Sequence, residues 1–168
     1  MASMKSISAK IHSIFLKNRL TLAAAESCTG GLISKLITDN PGSSKFFLMG
    51  IVCYSNASKQ KILKIPAKLI KDNGAVSKEV AASMAINVRK ISGANFGIGI
   101  TGIAGPEGGT KIKPVGTVFI SVARDDKVVT KGLSLSGNRN KIRTKTAEAA
   151  LKLLFNSLHA SIYRSQTT

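Results

Sequence analysis

The sequence predicts an α/β domain with a mostly parallel sheet of about five strands and one antiparallel hairpin. Apolar, strand-like runs alternate with helical patterns along the 168 residues. The last two such runs are separated only by a short polar turn, which is the signal of a hairpin. Because no repeat, linker or low-complexity tract interrupts this order, we expect a single domain over residues 1–168.

The first half of the chain supplies two strands and four helices. Ile7, Ile11 and Phe15 recur at helical spacing, which predicts an amphipathic first helix. Pro41 and the small polar residues after it predict a break before the second strand. The predicted elements are a helix over 5–18, a strand and turn over 20–31, a helix to 39, a strand over 46–54, and short helices over 57–63 and 67–72.

The second half supplies one long helix, three strands and a closing helix. Ser77 is a candidate N-cap and Gly93 a stop signal for the long helix. The strand over 96–101 alternates glycine with apolar residues, which suits a buried strand with its small face against a helix or ligand. The remaining elements are a glycine-rich loop over 102–110, strands over 115–123 and 128–135 joined by the turn 124–127, a basic loop or helix start over 137–143, and a helix over 144–163 with Ala147, Leu151, Leu154 and Leu158 on one face.

The charge balance favours anionic partners. Lys and Arg number 25 against eight Asp and Glu, for a net charge of +17. The basic residues are spread along the chain, aromatics make up only 5% and tryptophan is missing. A dedicated nucleic-acid binder concentrates its charge and interleaves it with aromatics, so we favour a solvated basic surface over nucleic-acid binding.

Other function classes are disfavoured by what the chain lacks. No apolar run approaches the roughly 20 residues that span a bilayer, and the N-terminus lacks a signal-peptide core, so we expect no membrane association and a cytoplasmic location. Two cysteines, Cys28 and Cys53, are too few for a disulfide scaffold. We expect both to be small buried core residues; the alternative is a reactive thiol. Two histidines and dispersed carboxylates offer no ligand pattern, so no metal is expected.

The stretch from Ala24 to Gly31 carries the strongest local signal. An apolar run stops at Glu26-Ser27-Cys28-Thr29-Gly30-Gly31 and a helical pattern follows, which predicts strand, tight turn and helix. Such a turn offers backbone N–H groups and a positive helix end to an anion, with Ser27 placed on it. The alternative is that Ser27 and Thr29 only cap the helix.

Two further strand ends complete a candidate site, because ligands gather at the carboxyl ends of parallel strands. One carries Tyr54 and Asn56 with Lys59 shortly after, and the other carries Thr101 and Gly102. A lysine made neutral by burial can activate a serine, so Lys59 is a candidate base for Ser27, with Tyr54 relaying a proton or orienting it. The alternatives are a solvated Lys59, a core Tyr54 with its hydroxyl at the rim, and a Thr101 that satisfies a backbone group.

Two remaining patterns are weaker. Residues 97–102 match G-x-G-x-x-G, but a proline-glycine loop follows instead of a helix, so we reject a dinucleotide site. In the basic segment 137–143, Arg139 or Arg143 could hold a phosphate or carboxylate, or could simply be solvated at a helix start.

Taken together, these motifs resemble the CinA C-terminal-domain family, whose enzymatic members are nicotinamide-nucleotide amidases. The resemblance covers about residues 8–160. It rests on Ala25-Glu26-Ser27-Cys28-Thr29-Gly30-Gly31, Tyr54-Ser55-Asn56, Gly74-Ala75-Val76-Ser77, Thr101-Gly102-Ile103-Ala104-Gly105-Pro106, Lys113-Pro114-Val115-Gly116-Thr117 and the basic segment 139–143.

The resemblance implies a three-layer α/β/α sandwich, a homodimer, and hydrolysis of the carboxamide of nicotinamide mononucleotide to nicotinate mononucleotide and ammonia without a cofactor. It places the nucleophile at Ser27, its base at Lys59 and a supporting hydroxyl at Tyr54. It makes Ser44, Thr101 and Arg143 substrate contacts, although the local pattern alone gives Ser44 no role beyond that of a turn residue. Backbone donors around Thr29, Gly30 and Gly31 or at Gly102 are expected to meet the oxyanion, and Asn56 and Arg139 to line the substrate site.

The chain departs from the family pattern in three ways. Asn138 stands where aspartate is usual, which is expected to weaken a salt link to the neighbouring arginine, and Cys53 stands where threonine is common. The larger N-terminal domain of full-length CinA proteins is missing, which suggests a stand-alone form. The rival hypotheses are a non-catalytic nucleotide-binding or competence-related interaction module, and a nucleic-acid binder prompted by the net charge.

Overall fold

A computed structural model describes residues 2–125 and 127–165. The strands are β1 (Leu22–Glu26), β2 (Phe47–Val52), β3 (Phe96–Gly102), β4 (Thr117–Arg124) and β5 (Lys127–Ser134). The helices are α1 (Ala2–Asn18), α2 (Leu32–Thr38), α3 (Asn56–Lys61), α4 (Ala67–Asn73), α5 (Lys78–Ser92) and α6 (Arg139–Ser165), with a 3₁₀ turn at Ser43–Lys45. No helix within these ranges has the length and apolar character needed to cross a membrane.

The five strands form one sheet in the order β2-β1-β3-β4-β5. β1 pairs in parallel with β2 and β3, while β4 is antiparallel to both β3 and β5. Four strands therefore run in one direction and β4 runs against them. The predicted five-stranded mixed sheet is confirmed, and the carboxyl ends of β1, β2 and β3 meet at one edge of it.

Helices cover both faces of the sheet, which gives the predicted three-layer sandwich. Helices α1, α2 and α6 pack together on one face, and α5, with α4 beside it, packs on the other. β1 contributes to both cores, because Ala24 lies in the α1/α6 core whereas Ala23 and Ala25 lie in the α5 core. A strand buried on both faces reads as a continuous apolar run, as β1 does.

The glycine face of β3 lies against α5, as the alternating pattern predicted. A Cβ at Gly99 would overlap the Ala81 carbonyl oxygen, and one at Gly97 would overlap that of Ala85. Ile98 and Ile100 point to the opposite face and are fully buried. No helix follows β3, which agrees with rejecting the dinucleotide motif.

Helix boundaries follow the capping residues. The Ser77 hydroxyl accepts from the Val80 N–H at the start of α5, and Gly93 ends that helix in the left-handed conformation. α6 begins at Arg139 rather than at residue 144, because the Asn138 side-chain oxygen accepts from the Lys141 N–H and caps it. In the predicted hairpin turn over 124–127, Asp126 lies outside the described residues.

Candidate active site

A pocket of about 180 Å³ lies at the carboxyl ends of β1, β2 and β3. It combines residues from the three strand ends with residues from α3, the loop before α5 and the start of α6. Its lining comprises Ser27, Cys28, Tyr54, Asn56, Lys59, Ala75, Val76, Thr101, Gly102, Ala104 and Arg139. The structure thus brings together most of the side chains that the sequence analysis selected separately.

Ser27 and Lys59 meet at the base of this pocket. The Lys59 Nζ lies 3.0 Å from the Ser27 Oγ, 2.9 Å from the Cys53 carbonyl oxygen and 3.3 Å from that of Tyr54. The Lys59 side chain is buried at 1% exposure, which excludes the alternative of an ordinary solvated lysine. An ammonium has three N–H donors and here meets three oxygen acceptors.

The environment of Lys59 favours its neutral form. Burial lowers the pKa of the Lys59 ammonium below its ordinary value, because the charged form loses its hydration. No carboxylate pairs with Lys59 among the described residues to offset that loss. When one proton leaves, two N–H groups can remain on the two carbonyls, and the lone pair can face the Ser27 hydroxyl.

Local structure explains how Lys59 reaches the pocket. Ser55 caps α3, with its hydroxyl accepting from the Ser58 N–H while the Ser58 hydroxyl accepts from the Ser55 N–H. This capping box fixes the start of α3 directly after β2. Lys59, one turn along, is the buried residue of the helix and extends back toward the end of β1.

Glu26 organises the turn that carries Ser27. Its carboxylate is fully buried and accepts from the N–H groups of Gly31, Ile33 and Ser34 at 2.8–3.1 Å and from the Ser34 hydroxyl at 2.7 Å. The start of α2 is therefore capped by Glu26, and neither Ser27 nor Thr29 provides a side-chain cap. A carboxylate at this position also complements the positive end of the helix.

This arrangement corrects the expected oxyanion donors. The Gly31 N–H is bound to Glu26, and the Gly30 N–H donates to the Ser27 carbonyl at 3.1 Å, so neither amide is free for a ligand. Among the described residues, no oxygen atom accepts a hydrogen bond from the N–H groups of Cys28 and Thr29. These two amides directly follow the nucleophile candidate.

The Thr29 side chain is buried and does not line the pocket. Its hydroxyl oxygen is fully enclosed and has no hydrogen-bond partner within the described part of the chain. Its carbonyl oxygen instead accepts from Arg143 Nε at 3.2 Å and Nη2 at 2.7 Å. Arg143 is thus committed to the backbone of the turn and does not line the pocket.

Tyr54 and Arg139 form a bridge at the pocket mouth. The Arg139 guanidinium donates to the Tyr54 hydroxyl at 2.8 Å and to the Gly105 carbonyl at 2.7 Å. Tyr54 is 59% exposed, so it is not a core residue. The expected hydroxyl contact with Lys59 is absent here, because the Tyr54 backbone carbonyl approaches Lys59 instead.

Asn138 caps a helix and does not pair with an arginine. Its side chain caps α6, and both Arg139 and Arg143 are held by other groups. Aspartate can supply the same capping oxygen. The departure at this position therefore leaves the arginine contacts in place.

Ser44 lies far from this pocket in the same chain. It is exposed in the 3₁₀ turn before β2, whereas the pocket lies after the end of β2. The six-residue strand between them spans roughly 20 Å at about 3.3 Å per residue. Within one chain, Ser44 does not contact the site.

At the end of β3, the hydroxyl of Thr101 is already hydrogen-bonded within the protein. The Thr101 hydroxyl donates to the Ala75 carbonyl at 2.8 Å and so ties the loop before α5 to β3. Gly102 leaves room for the neighbouring side chains, because a Cβ there would lie 2.7 Å from Val118 and 3.1 Å from the Cys28 Sγ. Asn56 lines the pocket from the first residue of α3 and is exposed.

The two thiols are buried core residues. Burial raises the pKa of the Cys28 thiol to about 11 and also raises the pKa of Cys53. Cys28 packs in the α1/α6 core and Cys53 in the α5 core. A thiol held in its protonated form is a poor nucleophile, which favours Ser27 over Cys28.

A larger groove lies between α1 and α6, and its lining contains no pair of nucleophile and base like Ser27 and Lys59. It measures about 580 Å³ and runs between α1 and α6, lined by Ser6, Ala9, Lys10, Ser13, Ile14, Phe155 and His159. Its lining places no buried base beside a hydroxyl. Among the described residues, no three His, Cys, Asp or Glu side chains cluster closely enough to hold a metal ion.

Sequence reasoning missed Glu26. The sequence analysis counts Glu26 among the dispersed carboxylates, although it directly precedes Ser27 and lies five, seven and eight residues before the three amides that it binds. An acidic residue at the end of an apolar strand, just before a helix, is the signal that could have identified it. Its partners became evident only from the folded turn.

Comparisons with known proteins agree with the fold and the motifs. The family model of the CinA C-terminal domain matches residues 4–158. A putative competence-damage inducible protein of Thermoanaerobacter pseudethanolicus is 53% identical over 138 residues, covering 82% of this chain and 33% of its own length. A CinA-like protein of Geotalea uraniireducens is 47% identical over 150 residues, covering 89% and 36% respectively. The chain thus spans about a third of the length of these curated relatives.

Solved structures match over nearly their whole length. The competence/damage inducible protein CihA of Agrobacterium tumefaciens superposes with a TM-score of 0.90 at 34% identity, covering 94% of this chain and 96% of that one. A competence or damage-inducible protein of Enterobacter asburiae gives 0.89 at 30% identity, covering 92% and 98%. The described fold is therefore shared with experimentally determined structures.

Proposed function

The chain belongs to the CinA C-terminal domain family, and we propose that it is an amidohydrolase that converts nicotinamide mononucleotide to nicotinate mononucleotide and ammonia. Ser27 is the nucleophile and Lys59 its base. The observation that carries this proposal is the 3.0 Å contact between the buried Lys59 Nζ and the Ser27 Oγ. Such a nucleophile and base within hydrogen-bond reach are what acyl transfer requires.

In the first step, neutral Lys59 accepts the Ser27 proton while the Oγ attacks the carboxamide carbon. The lowered pKa of Lys59 supports this role, because a base must be unprotonated to act. The two carbonyl oxygens of Cys53 and Tyr54 hold the amine in position throughout. Their hydrogen bonds also stabilise the ammonium that forms.

The carbonyl oxygen gains negative charge as the tetrahedral intermediate forms. The N–H groups of Cys28 and Thr29, which donate to no oxygen atom among the described residues, are suited to receive it. Glu26 and Arg143 hold the two sides of the turn that presents these amides. Preorganised donors of this kind cost little reorganisation when the charge develops.

The leaving group then takes the proton. Lys59 returns it to the amide nitrogen, the C–N bond breaks, and ammonia departs to leave an acyl ester on Ser27. Water next attacks the ester carbon with Lys59 again as base, which regenerates the Ser27 hydroxyl and releases the carboxylate. One water is consumed and one ammonia is released for each carboxamide, and no electron transfer is involved.

The pocket dimensions support a small acyl group. At about 180 Å³, the pocket is below the roughly 300–1,000 Å³ of sites that enclose a whole ligand. We infer that it takes the carboxamide end of the nucleotide and leaves the ribose phosphate at the mouth, near Arg139. The net charge of +17 favours the approach of a phosphate-bearing substrate.

Ammonia release on adding nicotinamide mononucleotide tests the proposal. We expect release by the native protein, loss of at least about 10³-fold in Ser27→Ala and in Lys59→Met, and no change in Ser13→Ala, whose exposed hydroxyl lies on α1. Full activity of Ser27→Ala would rule out the assigned nucleophile. Binding of the nucleotide without ammonia release would instead favour the non-catalytic nucleotide-binding module.

A further inference from the structure

The terminal strand β5 is exposed along nearly its whole length. Seven of its eight residues are exposed, and Leu133 is half-buried. β5 lies at the edge of the sheet beyond β4, and Val128 and Val129, which point to its two faces, are 37% and 50% exposed. A strand that is open at its edge and on both faces is a place where another extended segment can join the sheet.

The backbone of β5 has a row of outward-pointing groups. Leu135, just beyond the strand, donates its N–H to the Gly116 carbonyl, which fixes the phase of the antiparallel pairing with β4. Every second residue from Leu135 back to Lys127 shares this phase and bonds to β4. The intervening residues direct their N–H and C=O groups away from the sheet; they are Val128, Thr130, Gly132 and Ser134.

One face of β5 is basic. Lys131 lines a cleft of about 300 Å³ between β5 and α6, and Lys127 lies on the same face of the strand because alternate residues share a face. Lys145 and Lys152 line the cleft from α6. Among the described residues of this lining, the one carboxylate is that of Glu148, and it is already bound to Lys152 at 2.7 Å. The cleft therefore keeps a surplus of positive charge.

The other face of β5 is uncharged. Val128, Thr130 and Gly132 lie on it, and the Thr130 hydroxyl is 2.8 Å from the hydroxyl of the buried Ser121. The Phe119 ring borders Gly132, because a Cβ added there would lie 3.1 Å from it. A half-covered surface of this kind suits β-branched side chains on a neighbouring strand.

We propose that β5 is the docking site for an extended acidic segment of another protein, which adds to the sheet as an antiparallel sixth strand. The segment has Asp or Glu at every second position, on the face of Lys127 and Lys131. Between them it has β-branched residues, on the face of Val128 and Thr130. Opposite charges across neighbouring strands stabilise their pairing. Backbone hydrogen bonds supply affinity in this mode of binding, and the alternating side chains supply specificity.

The charge pattern favours this edge and this kind of partner. The other terminal strand, β2, has no charged residue, so an acidic segment gains no ion pair from that strand. Lysines on the β5 edge disfavour pairing with a second basic strand. A nucleic acid could use the lysines, but it has no strand backbone to pair with the outward N–H and C=O groups. An acidic polypeptide uses both features.

Binding of a labelled heptapeptide, Thr-Glu-Val-Glu-Val-Glu-Thr, tests the inference without using the ammonia assay. Fluorescence anisotropy at low ionic strength should show binding, and the amide NMR signals of Val128, Thr130 and Gly132 should shift. In the antiparallel pairing, the N–H groups of the peptide's Val and Thr residues face β5, whereas those of its Glu residues face away. N-methylation of the two Val residues should weaken binding at least roughly tenfold, and N-methylation of two Glu residues should leave it nearly unchanged.

A pair of protein variants separates the β5 site from general charge attraction. Lys131→Glu should weaken binding of the unmodified peptide by roughly tenfold, because a like charge replaces an attractive cross-strand pair. Lys71→Glu makes the same change in net charge at an exposed position of α4 and should alter binding by less than about twofold.

Three outcomes would overturn the inference. The first is an equal loss in the two variants, or from the two methylated peptides, which would mean adsorption by charge alone. The second is tighter binding of a single-stranded oligothymidylate of the same net charge, which would favour a nucleic acid as the partner. The third is an absence of peptide binding at concentrations up to about 1 mM.

Discussion

The Glu26 carboxylate accepts both the backbone N–H of Ser34 at 2.8 Å and its hydroxyl at 2.7 Å. With the amides of Gly31 and Ile33, this gives one buried carboxylate four donors across the junction of β1 and α2. The residue before the candidate nucleophile therefore fixes the helix that follows it. The turn carrying Ser27 is held at its start by the strand and at its end by this cap.

We expect Glu26→Gln to lower the free energy of unfolding by about 2–4 kcal/mol, because a buried set of donors loses its charged acceptor. Urea denaturation measures the difference. Glu148→Gln is the matched control, since it breaks only a surface pair with Lys152 and should change stability by less than about 0.5 kcal/mol. Equal stability of the native protein and Glu26→Gln would contradict the role given to this carboxylate.

The buried Lys59 should make stability depend on pH. Its folded-state pKa lies below the ordinary 10.5 of the unfolded chain, so between the two values the unfolded state binds the extra proton. The free energy of unfolding should therefore rise with pH through that window and fall as the pH drops toward the folded-state value. Denaturation series at several alkaline pH values measure the slope.

Lys59→Met should flatten this slope, and Lys61→Met, altered at an exposed position of α3, should keep it. If Lys59 acts as the base, ammonia release should also rise with pH through the folded-state pKa. A native protein whose slope matches that of Lys59→Met would show that Lys59 does not titrate abnormally.

Cys28, although next to Ser27, should not be needed for turnover. Burial raises its pKa to about 11, so only about one part in 10⁴ is thiolate at pH 7. We expect the folded protein to resist alkylation by iodoacetamide at pH 7, with both cysteines reacting after denaturation. Cys28→Ala should keep ammonia release within about tenfold of the native protein, and a loss as large as that of Ser27→Ala would point to the thiol.

Gly99→Ala should be strongly destabilising, by about 3 kcal/mol, because the added Cβ overlaps the Ala81 carbonyl of α5 and the backbone must shift. Thermal or urea unfolding gives the value. Gly93→Ala serves as a comparison, since its Cβ meets nothing within 4 Å and the cost is only that of a left-handed φ of 69°, about 1 kcal/mol. A smaller effect at Gly99 than at Gly93 would mean that β3 and α5 are not in contact as described.

Asn138→Ala should cost about 1 kcal/mol through loss of the cap on α6, whereas Asn138→Asp should preserve stability. Because Arg139 is held by Tyr54 and Gly105, neither substitution should abolish ammonia release. The two variants together separate a capping role from an ionic one. A gain of activity of tenfold or more in Asn138→Asp alone would favour the salt link inferred from the family pattern.

Most of the fold could be predicted from the sequence, because its signals are local. The periodicity of apolar residues predicted all five strands, and Ser77 and Gly93 marked the ends of α5. The glycines of β3 indicated that another element packs closely against this strand. The rule that ligands gather at the carboxyl ends of parallel strands predicted that Ser27, Lys59 and Thr101 lie at one edge of the sheet. Each of these inferences depends on neighbours within a few residues or on a general property of parallel sheets.

The tertiary structure alone decided what each candidate does, because a side chain's role depends on distant partners. Lys59 meets Ser27 across 32 residues, and Arg143 binds the Thr29 carbonyl across 114. Local pattern contains no information about such contacts, so it left Arg143 between an anion contact and a solvated helix start and overlooked Glu26. The sequence by itself determined the elements and the chemical types at the strand ends. Folding decided which of those groups are buried, which are already satisfied and which remain free to act.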